Sequence, residues 1–264
     1  MKQRSISAVV FVAILLPIVI FGGLPLTVFT YIIATVGLHE LLRMRNLHIW
    51  SIPGVLSTLL LWTILLPADY QYILTDWNSS RFDIIILFLF LFLSYTVVSK
   101  NKFHFDDAGF VILTVLYIGV GFHFFIETRF ADNGLIFIFY SLFLMWATDS
   151  GAYLIGKAIG KRKLWPEISP NKTIEGSLGG VACALIVAIL FMIFTDMNLS
   201  PVQLIVMTIV LSIFGQVGDL AESAFKRHYK VKDSGKIMPG HGGVLDRFDS
   251  LLFVWPLIHL LHFI

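Results

Sequence analysis

The stretch FDIIILFLFLFLSYTVVS, residues 82–99, carries one formal charge, Asp83, at its very edge. Its apolar residues run without the two-residue alternation of a half-buried strand. Eighteen residues at 1.5 Å each span about 27 Å as an α-helix, close to the ~30 Å hydrocarbon core of a bilayer. Reading outward, comparable apolar runs occupy roughly 5–21, 24–42, 49–67, 108–126, 134–155, 174–195, 201–220 and 248–264. The expected fold is therefore all-α, a polytopic integral membrane protein with about nine transmembrane helices. Hydrophobic residues make up 57% of the 264 positions and charged residues 14%, with a mean hydropathy of +0.85. A soluble domain carries about 25% charged residues, so an ordinary soluble enzyme is excluded.

The opening Met1-Lys2-Gln3-Arg4 and the apolar run behind it resemble a secretory signal, but Gly22-Gly23 is followed by more apolar sequence. We read this segment as a retained first helix, joined to the second by a tight turn at Gly22-Gly23-Leu24-Pro25. The lone Cys183 excludes an intrachain disulfide and a thiolate zinc cluster. It is expected to be a small packed side chain.

Nine alternating spans place 17 of the 19 Lys and Arg residues on one side, leaving Arg81 and Arg129 on the other. Basic residues accumulate in cytoplasmic loops. The expected topology has the N-terminus in the cytoplasm and a multi-pass chain in the cell membrane. Two long polar cytoplasmic loops, 156–173 and 221–247, both fall in the second half. The expected organisation is an N-terminal scaffold region, 1–130, and a C-terminal catalytic region, 131–264.

Ionisable groups within membrane segments are expensive and point to function. Asp219, Glu222, Ser223 and Lys226 recur at i, i+3, i+4 and i+7, one helical face leading towards a basic loop. A plain helix end, with Glu222 and Lys226 as an i,i+4 ion pair, is the simpler alternative for part of this pattern. Next, Pro239-Gly240-His241-Gly242-Gly243-Val244-Leu245-Asp246-Arg247 sets glycines around a histidine, a composition suited to backbone N–H groups approaching an anion. Asp149 and Tyr153 are four apart, on one helix face. Gly156 and Gly160 form a small-xxx-small pair that permits close helix contact within the chain or in a homodimer. Ser169-Pro170-Asn171-Lys172-Thr173 leads into a helix N-terminus, but P-loop spacing is absent. Acidic groups, lysines and glycine-rich backbone suit an oxygen-bound Mg²⁺ holding a polyphosphate, with Asp219 and Asp246 as the carboxylates. The scattered histidines argue against a histidine zinc site, and no Ser/His/Asp triad stands out.

From Ser223 to Asp249 the chain resembles the phosphatidate cytidylyltransferases, also called CDP-diacylglycerol synthases. The family signature reads Ser-x-apolar-Lys-Arg, four residues, Lys-Asp-x-small, two residues, then apolar-Pro-x-His-Gly-Gly-apolar-x-Asp-Arg-apolar-Asp. It is met by Ser223, Lys226, Arg227, Lys232, Asp233, Gly235, Pro239, His241, Gly242, Gly243, Asp246, Arg247 and Asp249, with Met238 where Leu, Ile or Phe is usual. Asp149 to Tyr153 and Ser169 to Gly176 resemble a second region of the same family. The resemblance implies that CTP and phosphatidate give CDP-diacylglycerol and pyrophosphate with Mg²⁺, on the cytoplasmic side. It implies catalytic roles for Asp219, Asp246, Lys226, Arg227, Lys172, His241 and Arg247, and metal ligation by Asp219 and Asp246 with Asp149 as a third candidate. Substrate contacts are implied for Ser169, Asn171, Lys172, Thr173, Glu175, Ser223, Lys226, Arg227, Lys232, Asp233, Gly242 and Gly243. The lipid phosphate is itself a nucleophile, which fits the lack of a candidate protein nucleophile. Expected partners are CTP, phosphatidate and membrane lipids, and no nucleic acid. A CTP-dependent lipid kinase or an ether-lipid cytidylyltransferase is the alternative. A cation-coupled transporter fits least, because no repeat is evident and the charges gather at one face.

Overall fold

In the computed structural model, residues 2–70, 72, 79–237, 240 and 242–264 are described, with side chains from Val10 onward. Met238, Pro239 and the expected catalytic His241 lie outside the described residues. The apolar runs form α1 (Lys2–Phe21), α2 (Gly23–Met44), α3 (Ile52–Leu65), α4 (Arg81–Val98) and α5 (Phe105–Phe130). They continue as α6 (Gly134–Ile159), α7 (Ile174–Phe194), α8 (Pro201–His228), α9 (Leu245–Phe248) and α10 (Leu251–Leu260). Among the described residues, six helices are long and apolar enough to cross a membrane: α2, α4, α5, α6, α7 and α8. The apolar part of α1, α3 and α10 are shorter. The chain is thus a helical protein with several membrane-spanning candidates.

Helix starts carry local signals that satisfy otherwise orphaned N–H groups. Ser80 and Asp83 form a capping box on α4, and Ser200 with Gln203 forms one on α8, where Pro201 takes the first helical position. Gly22 and Gly23 have φ of 64° and 57°, which lets the chain reverse between α1 and α2 at the expected turn.

The architecture agrees with the expected all-α class, with one short hairpin in the loop after α6, where β1 (Lys163–Trp165) and β2 (Ser169–Thr173) pair antiparallel, Lys163 opposite Thr173 and Trp165 opposite Ser169. Two expectations are corrected. Both polar loops are shorter than expected: α6 runs on to Ile159 and α8 to His228, so the loops begin at 160 and 229. Charge misled the boundary, since Ala221, Glu222, Ala224 and Lys226 are good helix formers even where the sequence turns polar. The final apolar run is broken at Asp249-Ser250, where Phe253 and Val254 both donate to the Ser250 carbonyl.

Two compact units emerge. The first comprises 1–127 and 233–245, the second 128–232 and 246–264. In the first, α1, α2, α3 and α4 pack in sequence, and Arg45 Nε donates to Asp107 Oδ1 at 2.8 Å, tying the end of α2 to the start of α5. In the second, α6 packs against α7, α8 and α10. Side-chain hydrogen bonds stitch these helices together: Tyr140 Oη with Thr208 Oγ1 at 2.6 Å, Thr148 Oγ1 with Ser212 Oγ at 3.0 Å, and Trp255 Nε1 to Ser141 Oγ at 3.1 Å. Such bonds hold helices together where lipid supplies no hydrophobic drive.

The α6–α7 contact is the tightest. A Cβ on Gly176 would lie 2.6 Å from the Ala152 carbonyl, and one on Gly180 would lie 2.7 Å from the Thr148 carbonyl. Gly156 faces Thr173 and Gly176, so this glycine is used within the chain. Cys183 packs where a Cβ on Gly151 would fall 2.6 Å from its Sγ, the small packed role expected of it. We predict that Gly176→Val forces α6 and α7 apart and destabilises the protein by about 2 kcal/mol, the usual range for overpacking. Gly109→Ala, with nothing within 4 Å of its added Cβ, should match or slightly exceed the wild type. Thermal unfolding in detergent distinguishes the two; equal melting would contradict close packing.

Candidate active site

The stripe expected on α8 exists on one continuous helix, and it lines two adjoining polar groups of the second unit. The first is a cleft of about 500 Å³ lined by Asp149, Tyr153 and Lys157 from α6, by Ser169, Asn171, Lys172 and Thr173 from β2, by Gly176 and Ser177 from α7, and by Gln216 and Asp219 from α8. Its size lies in the ordinary range for a small-molecule site. Lys172 Nζ pairs with Asp219 Oδ2, and Ser223 Oγ leans on Asp219 Oδ1 at 3.4 Å. Lys157 Nζ stands 6.0 Å from the Tyr153 ring centre.

Local structure explains how β2 delivers its side chains. Thr173 caps α7 by accepting from Gly176 N at 3.1 Å, which turns strand into helix within one residue. Ile174 N donates to Arg162 O, closing the hairpin against the helix start. Glu175 then accepts from Lys161 N at 3.0 Å and from Arg162 N at 3.2 Å. Glu175, expected as a substrate contact, fastens the loop backbone in this structure. Arg227 Nε reaches the Ile168 carbonyl at 3.2 Å, linking the end of α8 to the hairpin turn.

The second group is an ion-pair triad. Lys226 Nζ lies 2.6 Å from Glu222 Oε2 and 2.7 Å from Asp246 Oδ1, with the Glu222 side chain 0% exposed and Asp246 8%. The i,i+4 pair anticipated from spacing is present, but Asp246 joins it from 20 residues on. Asp249 connects the two groups electrostatically. It lies within reach of both Asp219 and Glu222, and Asp149 in turn feels Asp219 and Asp249. Glu222 Oε1 is buried without a hydrogen-bond donor.

The site therefore gathers Asp149, Ser169, Asn171, Lys172, Thr173 and Asp219 in the cleft, and Lys226 with Asp246 in the triad. Lys232, Asp233 and Arg247 are exposed on the segments beyond α8. Gly240 and Gly242 hold φ of 77° and 84°, a backbone only glycine adopts freely, and Gly243 is buried. The sequence reading passed over Gln216, although it precedes Asp219 by one helical turn. It quoted Asp249 within the signature without placing it among the carboxylates.

Among the described residues no three acidic, histidine or cysteine side chains form a ready-made metal cage. That is compatible with Mg²⁺, which is usually held by one or two carboxylates plus substrate phosphates and water. The donor set also fits a hard cation. Asp149 and Asp219 lie near Asp249, and Glu222 and Asp246 share Lys226, while Lys172 pairs with Asp219. Negative charge exceeds positive in a poorly hydrated place, an arrangement a divalent cation relieves.

Lys226 is the counter-charge for two buried carboxylates. Removing one partner of a buried pair costs about 3–5 kcal/mol, because the other is left uncompensated. Lys226→Met should lower stability by roughly that amount. Adding Glu222→Gln should restore part of it. Denaturation in detergent micelles measures both; an unchanged Lys226→Met midpoint would show that the triad contributes nothing to stability.

Comparison with known proteins gives the chain's family. A model of the cytidylyltransferase family matches residues 2–264. A Bacillus subtilis (strain 168) protein named phosphatidate cytidylyltransferase is 51% identical over 262 residues, covering 99% of this chain and 97% of its own. Proteins of the same name from Staphylococcus haemolyticus (strain JCSC1435) and Staphylococcus aureus (strain COL) are 50% and 49% identical, each covering 99% of this chain and 98% of theirs. Matched along nearly its whole length at about half identity, the chain belongs to the cytidylyltransferase family.

Proposed function

We propose that the protein transfers the cytidylyl group of CTP to phosphatidate, giving CDP-diacylglycerol and pyrophosphate. The observation that carries this reading is the array of paired carboxylates and lysines at one end of α6 and α8, next to a cleft of nucleotide-ligand size. Relatives covering the whole chain bear the name of this activity. We assign the reaction to the cytoplasmic face of the cell membrane, with the N-terminus inside and nine spans. The distribution of Lys and Arg supports that orientation.

In this mechanism an oxygen of the phosphatidate phosphate attacks the α-phosphorus of CTP. The bond from that phosphorus to the bridging oxygen of the β-phosphate breaks, and pyrophosphate leaves. No protein nucleophile is required, so the residues position substrates and compensate charge. Lys172, at the mouth of the cleft, exchanges its carboxylate partner for triphosphate oxygens. Lys226 holds Asp246 in place. Arg227, the backbone of Gly242-Gly243, and Arg247 supply further donors for phosphates. Asp219 and Asp246, joined by Asp149 or Asp249, would hold Mg²⁺, which when bound would neutralise charge on the triphosphate and on departing pyrophosphate.

Two measurements test this. With purified protein, phosphatidate and Mg²⁺, label at the α-phosphate of CTP should enter the lipid and label at the γ-phosphate should not. Entry of γ-label would make the protein a lipid kinase. Asp219→Asn and Asp246→Asn, each in folded protein, should lower turnover at limiting Mg²⁺ by about 100-fold, the scale of losing a charge-stabilising group. Near-wild-type turnover in either would remove that residue from the metal site.

A further inference from the structure

A carboxylate buried in a membrane helix is costly unless donors surround it. Glu40, near the end of α2, is 4% exposed and stands in a run otherwise read as lipid-spanning scaffold. Its oxygens accept from Val244 N at 2.9 Å, Leu245 N at 3.0 Å and Ser234 Oγ at 3.0 Å, all within the first compact unit. The partners lie some 200 residues further along the chain and belong to the segment carrying the glycine-rich signature. They are themselves buried: Ser234 is 6% exposed, Val244 4% and Leu245 0%.

The surroundings are shaped around this carboxylate. A Cβ at Gly235 or Gly243 would overlap it, so both glycines make room for Glu40. One turn back on the same face of α2, Gly37 receives Leu245, whose Cδ2 lies 3.1 Å from where a Cβ would stand. The backbone at 244–245 is thus held by two N–H bonds, and its side chain is seated in a notch. The next residue in the chain is Asp246.

We propose that Glu40 is a positioning residue for the reaction. It fixes the backbone at Val244 and Leu245, and so sets where the Asp246 carboxylate projects. This rests on Asp246 serving the metal-dependent transfer described above. Charge matters as well as shape. Glutamine is nearly isosteric, but its one oxygen leaves an NH₂ group against one of the donors, N–H facing N–H.

The experiment uses full-length protein in mixed micelles of detergent and phosphatidate, with turnover expressed per folded molecule. Glu40→Gln should lower kcat about 30-fold, leave the KM for CTP within about 2-fold, and raise the Mg²⁺ concentration for half-maximal activity at least 5-fold. Amide exchange at 244–245 should quicken. If Glu40→Gln does not fold, Ser234→Ala, which removes the Ser234 Oγ bond to Glu40, should shift the Mg²⁺ requirement the same way by about 2-fold. A purely structural role would reduce yield or thermal midpoint while leaving the Mg²⁺ requirement unchanged, and that result overturns the proposal. Asp246→Asn measured alongside separates the two readings. If it too leaves the Mg²⁺ requirement unchanged, the metal assignment has failed. Glu40 is then judged by kcat, where a value within 2-fold of wild type overturns it.

Discussion

Lys226, held between Glu222 and Asp246, shows the condition under which this chain keeps charge at the edge of an apolar bundle. Two ammonium groups in the site stand against carboxylates: Lys226 has two within 2.7 Å, and Lys172 has Asp219. Unpaired, any of these groups would face a desolvation cost of several kcal/mol. Asp149 and Asp249 add negative charge that the two lysines do not offset, and Glu222 keeps one buried oxygen without a donor. Carboxyl groups therefore outnumber ammonium groups here, which is the ground for proposing a Mg²⁺-bound triphosphate as the occupant.

Packing makes that arrangement reachable. The glycines of α6 and α7 bring the two backbones into contact, so Asp149 and Tyr153 of α6 line the same cleft as Thr173, Gly176 and Ser177. Larger residues there would push β2 and its Lys172 away from α8. The short hairpin serves the same end. Its strands are too few to be a sheet in their own right, yet Thr173 as cap and Glu175 as clasp orient Lys172 towards Asp219. Helix packing and charge pairing are two parts of one construction.

What could be read beforehand follows from how local each signal is. Apolar runs were legible because lipid demands about 20 uninterrupted residues and allows few charges. The α8 stripe was legible because i, i+3, i+4 and i+7 is a property of one helix. Helix ends were harder, since Ala221, Ala224 and Lys226 continue a helix as well as they begin a loop. The hairpin left no usable trace in three- and five-residue strands. Asp246 as a second partner of Lys226, and Asp249 near both groups, depend on segments 20 or more residues apart. No periodicity encodes such a meeting.

Glu40 extends that argument to the division of the chain. By composition, residues 1–130 read as scaffold, and a lone Glu in α2 is easily taken for a tolerated polar residue near a helix end. The donors Ser234 Oγ, Val244 N and Leu245 N come from a segment that the fold groups with this first part of the chain, although the flanking residues belong to the second unit. The first compact unit therefore does not end at one point in the sequence. The glycine-rich signature owes its shape to a carboxylate outside the signature, and Gly235 and Gly243 are small for that carboxylate as much as for any phosphate. A motif that looks self-sufficient as a string of letters is, in three dimensions, half of an interaction whose other half was written 200 residues earlier.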